Sequence, residues 1–214
     1  MLFTQPGILY TYVRSFFLFT FTKFIQIFFL PSNITLGQNV RLQKLNSLYA
    51  DNKAIMQIGD NSIIYENAAI SANHLAKVEI GEDSIIGDAK IVSRYGITIG
   101  KRFMTSWNVF IQDYDPHPID PAQRAIQVKS MTKSFIPNYG KKDKEQLPKL
   151  DWEFPGKEIT IGDDVWVGAN STVLKGAKIG NGTIIATGSV VLKGVYPDNV
   201  VLAGNPAKVI KELG

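Results

Sequence analysis

Branched aliphatic residues recur every six positions, and this period constrains the chain more than any other feature. Ile161, Val167, Val173, Ile179, Ile185 and Val191 form an unbroken series. The residue after the anchor is Gly at 162, 168 and 180 and Ala at 186. The fifth place of each block is Val165, Ser171, Ala177, Thr183, Ser189 and Val195, all small or β-branched. The same register returns upstream in Leu36, Leu42 and Leu48, in Ile58, Ile64 and Ile70, in Ile80, Ile86 and Val92, and in Ile99, Thr105 and Ile111. A period of six matches neither the 3.6-residue helix nor the two-residue alternation of one long strand. It fits short strands joined by turns and wound into a three-sided prism, three sixes to a coil, with the anchors filling the axis. Gly, Asn and Asp at the turns tolerate positive φ. Such a repeat buries its core only by stacking. The expectation is an all-β chain, a parallel β-helix of about six coils.

Three interruptions break the register. Residues 49–57 and 76–79 read as short excursions between coils, and 118–158 as a long inserted loop. A loop of that length inside a compact domain is functional more often than idle. It carries Phe135, Tyr139, Trp152 and Phe154, and reads as a lid or as an arm reaching a neighbouring subunit. Beyond Pro197, Val200-Val201-Leu202 reads as one more strand and Ala207–Leu213 as a short cationic helix.

Residues 1–33 have another composition. The run ILYTYVRSFFLFTFTKFIQIFFL at 8–30 is rich in aromatic residues, and Arg14 and Lys23 interrupt it, so no clean apolar stretch reaches the roughly 20 residues of a spanning helix. Phe17, Phe21, Phe24 and Phe28 share one helical face. An aromatic N-terminal helix is expected, either lying on a membrane surface or capping the prism. The domain reading is therefore 1–33 as this helix and 34–213 as the prism with its insertion.

Composition limits the chemistry. With no cysteine, thiolate nucleophiles, disulfides and thiolate metal sites are excluded. Only His74 and His117 are present, too few for a three-histidine metal site, so no metal is expected. A formal charge of +4 gives no reason to expect nucleic acid, and fits a phosphorylated ligand or an anionic surface. His117 takes the slot six after Ile111, where the prism stops and the insertion begins. Imidazole is the natural base near neutral pH, and a hydroxyl is too weakly acidic to act as a nucleophile without one. Asp113, Asp115 or Asp120 would orient the ring, and Asp88 and Asn108 are further candidates for holding it or an acceptor. His74 has no such surroundings and reads as a structural or surface residue.

The hexapeptide pattern resembles the left-handed β-helix acyltransferases, and the left hand is implied by that resemblance alone. The string His117-Pro-Ile-Asp-Pro-Ala-Gln-Arg124 resembles the active-site string of the maltose and galactoside O-acetyltransferases, where the histidine is the general base. The loop after it, with Leu147-Pro148-Lys149-Leu150-Asp151, is more similar to the xenobiotic acetyltransferases, and the aromatic N-terminus to acetyltransferases of bacterial polysaccharide clusters. The resemblance covers roughly 34–213. It implies acetyl-CoA as acyl donor, with contacts at Trp166, Ala169, Thr187, Lys193, Lys208 and Lys211, and Gly168 is a small residue that would line the same groove. It also implies a homotrimer with active sites between subunits. At 187 the family often has Ala, and at 192 often Thr where this chain has Leu192. Where the galactoside enzymes hold their acceptor with an asparagine, this chain has Gly87 followed by Asp88, so the acceptor's identity does not carry over. The expected function is O-acetylation of a carbohydrate in surface-polysaccharide synthesis, in the cytoplasm or peripherally at the inner face of the plasma membrane. N-acetylation of an amino-sugar nucleotide, xenobiotic acetylation and a non-enzymatic scaffold are the alternatives.

Overall fold

The computed structural model describes residues 10, 12–13, 16–17, 20, 24, 30–135, 150 and 152–214, except the side chains of Leu45, Ser134 and Phe135. It divides into two compact units, one of residues 1–113 and 157–214, the other Tyr114–Gly156.

The first unit is a parallel β-helix. Its short strands line up in three sheets of seven, eight and six strands, one sheet per side of the prism. On the first side Met56 pairs with Ile34, Val78 with Met56, Ile97 with Val78, Ile159 with Ile97, Ile179 with Ile161 and Val195 with Lys178. The turns are therefore 22, 22, 19, 62, 18 and 17 residues long, and seven strands on this side mean seven turns rather than six. All but one of the anchors read from the period lie on the axis. Leu42, Ile64, Ile86, Ile111, Val167, Val173, Ile185 and Val191 are fully buried.

The exception is Val92. Ile91 is fully buried and pairs with both Ile70 and Ile111, while Val92 is half-exposed. The corner between Ile85–Ile86 and Ala89–Ser93 holds only two residues, so the inward position falls five after Ile86 rather than six. In a strand a one-residue slip exchanges the buried and outer faces.

Residues 49–57 are not an excursion either. They contain the end of the strand Leu48–Ala50 and most of Ile55–Ile58, and 76–79 belong largely to Lys77–Ile80. The extra residues sit at one corner, between the third and first sides, as 51–54 and 73–76. The insertion leaves from that corner too.

Stacking at the corners is tight. Gly162 has ordinary backbone geometry, but a Cβ on it would stand 2.6–2.9 Å from atoms of Gly180 and Asn181 in the next turn. Asn181 Oδ1 accepts the backbone N–H of Asp163 at 2.8 Å, and Asp198 Oδ1 accepts that of Asn181 at 2.7 Å. Non-glycine residues at positive φ recur at the next position, at Asn39, Asn61, Asp83, Arg102, Asp164 and Asn199. Arg102 donates to Asp164 through Nε and Nη2, which holds the Asp164 carboxyl below its ordinary range.

The chain's end is not a helix. Ala207–Glu212 is a strand that runs antiparallel to Val200–Gly204. The last strand of the second side would otherwise expose a row of unpaired backbone groups. Folding back through Gly204-Asn205-Pro206 covers it, and β-branched Val209 and Ile210 suit a strand.

The second unit is not a bare loop. It contains a 15-residue helix, Pro121–Phe135. Asp120 caps it: its Oδ1 accepts the N–H of Ala122 at 3.0 Å, and its carbonyl accepts that of Arg124 at 3.0 Å. Pro121 stands at the first helical position, where no donor is lost. The unit's ends meet through an antiparallel bridge of Tyr114 with Gly156 and an edge-on contact of the Tyr114 and Phe154 rings.

Near the N-terminus the described residues Tyr10, Tyr12, Val13, Phe16, Phe17, Thr20 and Phe24 are helical and exposed. Phe21 and Phe28 of the expected apolar face lie outside the described residues, as do Tyr139 and most of 147–151.

Candidate functional site

His117 lies in the second unit, and it is exposed rather than in an axial slot, because the third-side strand ends at Gln112. The backbone on either side of it is fastened to the helix. Gln127 Nε2 donates to the Pro116 carbonyl at 2.9 Å, and Arg124 Nη1 donates to the carbonyls of Pro118 at 2.8 Å and Ile119 at 2.7 Å. Gln127 Oε1 stands 2.9 Å from His117 Nδ1. A neutral amide therefore holds the ring, where a carboxylate was expected. Gln127 carries no signal in the six-residue period and reaches His117 only because residues 121–135 form a helix. On a helix, Arg124 and Gln127 are three apart and share a face.

Of the polar residues picked out beside His117, Asp113, Asp120 and Asn108 have side-chain partners elsewhere. Asp113 is fully buried and closes a corner of the prism. Its Oδ2 accepts from Ser93 Oγ at 2.6 Å and from the N–H groups of Tyr95 at 3.0 Å and Gly96 at 2.7 Å, and its Oδ1 from that of Arg94 at 2.9 Å. Asp120 is the helix cap. The Asp115 N–H donates to the Pro155 carbonyl at 2.8 Å. Asn108, at φ 55°, donates from Nδ2 to Asn170 Oδ1 at 2.9 Å in the corner ladder. Asp88 lines a cleft. This cleft, of about 360 Å³, lies on the first unit and is lined by Tyr65, Glu66, Asn67, Ile85, Gly87, Asp88, Met104, Thr105, Ser106 and Trp107. The Trp107 indole is 76 % exposed. A flat ring edged by two carboxylates and several hydroxyl or amide groups is a surface on which a polyhydroxylated ring can stack and hydrogen-bond.

The residues expected along the acyl donor separate into two groups. Trp166 lies on the second side, half-exposed, with Nε1 donating to Ser106 Oγ at 3.2 Å. Gly168 and Ala169 turn the next corner, and Thr187 stacks over them: a Cβ on Gly168 would stand 2.7 Å from the Thr187 nitrogen. Lys208 and Lys211 are on the terminal strand of the same second side. Lys193 is not with them. It sits at the corner between the third and first sides, next to Gly176. The outer face of the second side is an apolar ladder in register, Ile63, Ile85, Met104, Trp166, Ile184 and Val201.

Residues 158–193 match the family model described as bacterial transferase hexapeptide (six repeats). Those residues supply strands to all three sides of the prism described above. Residues 158–193 thus carry the hexapeptide repeat. The chain is 34% identical over 122 residues to WbbJ of Escherichia coli (strain K12), provisionally named a lipopolysaccharide biosynthesis O-acetyl transferase, covering 57% of this chain and 53% of that protein. It is 33% identical over 119 residues to the galactoside O-acetyltransferase of the same strain, covering 55% and 54%. The chain thus spans about half the length of these two curated relatives. Among solved structures, its fold is shared with AntD, an N-acyltransferase from Bacillus cereus solved with dTDP and 3-hydroxybutyryl-CoA. The TM-score is 0.59 and the identity 20%, over 84% of this chain and 83% of that one.

Proposed function

We propose that the protein is an O-acetyltransferase that moves the acetyl group of acetyl-CoA to a carbohydrate hydroxyl, with His117 as general base. The observation that carries this reading is the exposed His117 imidazole, set on a backbone segment fastened on both sides, within a string that resembles the active-site string of the maltose and galactoside O-acetyltransferases. The base takes the acceptor's hydroxyl proton as that oxygen bonds to the thioester carbon. The carbon–sulfur bond then breaks, and the proton passes to the leaving thiolate, giving an ester and free CoA. A backbone N–H near Gly168 would meet the developing oxyanion. Trp166, Ala169, Thr187, Lys208 and Lys211 would hold the donor along the second side, the lysines facing its phosphates. Lys193, on another corner, would meet the donor only from a different direction. Asp88, Glu66 and the Trp107 face would hold the sugar.

The same reading extends to assembly and place. The apolar ladder on the second side supports self-association as a homotrimer, in which His117 of one subunit serves a thioester held by another. The exposed helical residues described near the N-terminus, Tyr10, Tyr12, Phe16, Phe17 and Phe24 among them, support docking on an anionic membrane surface, where surface polysaccharides are built. Residues 1–50 hold Arg14, Lys23, Arg41 and Lys44 and no acidic residue. The rest of the chain balances at nineteen basic and nineteen acidic residues, so the whole +4 excess falls within residues 1–50, half of it inside the aromatic run. Among the described residues no helix is long and apolar enough to cross a membrane.

The test is to incubate the purified chain with acetyl-CoA and a panel of oligosaccharides and amino-sugar nucleotides, and to examine the product's acetyl linkage. An acetyl group lost to mild hydroxylamine is an ester, as expected. A hydroxylamine-resistant amide would replace the reading with N-acetylation, and an absence of transfer to any acceptor would replace it with a scaffold.

A further inference from the structure

We propose that Gln127 is the positioning residue that fixes the tautomer of His117, so that Nδ1 carries the proton and Nε2 is the nitrogen that accepts one. The inference deepens the reading of His117 as the base and rests on it. The Pro116 carbonyl can only accept, so the Gln127 side-chain end that faces it at 2.9 Å is the NH₂. The other end of the same amide is then the oxygen, and it faces His117 Nδ1 at 2.9 Å. An amide oxygen can only accept, so Nδ1 must donate. A neutral imidazole has one N–H, which leaves the lone pair on Nε2. This is the reverse of the tautomer that an unrestrained neutral imidazole prefers in water.

Two features keep the amide from reorienting. Gln127 is only 6 % exposed, so an amide turned away from Pro116 and His117 would lose both bonds with little water to replace them. Its helix begins at a capped end, and Arg124, one turn earlier, fastens the carbonyls of Pro118 and Ile119. The His117 ring is itself exposed, which leaves Nε2 open to an acceptor. The Nδ1–H bond to Gln127 is also the right one after Nε2 has taken a proton, because both ring nitrogens of the imidazolium donate. Proton transfer therefore needs no rearrangement of the support.

The chain has only two histidines, so the tautomer can be read directly. Full-length protein carrying His74→Gln and ¹⁵N-labelled histidine is examined by long-range ¹H–¹⁵N correlation at a pH where the ring is neutral. The expected signature is a protonated Nδ1 and a bare Nε2. Gln127→Leu should shift the ring toward the solvent-preferred tautomer. It should lower kcat about 10–100-fold, with KM for donor and acceptor within about twofold. Gln127→Glu keeps an acceptor at Nδ1 and should recover most of kcat. Its added charge favours the imidazolium, so the rising limb of its pH–rate profile should move to higher pH. A protonated Nε2 in the unsubstituted protein overturns the proposal. So does a folded Gln127→Leu variant with unchanged tautomer and kcat. Full activity in His117→Ala sinks the base reading separately, while the tautomer measurement still decides whether Gln127 sets the ring.

Discussion

At the residue scale, neighbours in sequence divide sharply in role. Asp113 and His117 are four apart, and both drew attention as polar groups at the end of the prism. Burial separates them: Asp113 is enclosed and His117 is exposed. All four partners of Asp113 are donors, so its carboxyl group acts only as acceptor, stapling the corner of residues 93–96 in the turn before it. Asp113→Ala should leave buried donors unpaired and lower the unfolding free energy by on the order of 3 kcal/mol, measured by urea denaturation. An unchanged midpoint would show the staple to be dispensable. His117 stood out in the sequence through its string and its scarcity. Its partner did not, because the Gln127 contact depends on a helix phase that the six-residue period says nothing about. Asn108 was likewise legible as a polar corner residue, but its pairing with Asn170 spans the whole insertion, and no local pattern reveals that.

At the element scale, the strands were legible because each axial anchor repeats a physical demand, an aliphatic side chain on a closed axis. The departures came where one side of the prism changes length. The two-residue corner at Gly87-Asp88 shifts the buried position to Ile91, and the sequence offers Ile91 and Val92 side by side with nothing in composition to choose between them. The helix Pro121–Phe135 had a readable signal, Asp120-Pro121 followed by Ala, Gln, Arg and Lys, the usual start of a capped helix. Five prolines across the insertion drew the reading toward loop instead. The terminal strand was misread as a helix because a solenoid's need to cover its last edge belongs to the fold and not to the local sequence. Corner spacing gives the prediction at this scale. Gly162→Ala places a methyl against backbone of the next turn and should lower the thermal midpoint by several degrees, in calorimetry, with circular dichroism of the folded state retained. No change in midpoint would mean that neighbouring turns can separate without cost.

At the scale of the whole molecule, the charge excess, the aromatic helix and the repeat form one argument about place as well as chemistry. Vesicles with about a third anionic lipid should sediment the full chain at low salt, and less of it at about 0.5 M salt. Neutral vesicles should bind it more weakly, and a variant lacking residues 1–29 should remain in the supernatant. Equal binding by that variant would take the membrane contact away from this segment. The central claim concerns His117. Acceptor-dependent thiol release from acetyl-CoA, followed in the wild-type chain and in His117→Ala side by side, tests it most directly. The account predicts a loss of about 10²–10⁴ in rate with acetyl-CoA binding retained. A variant as fast as the wild type would contradict it.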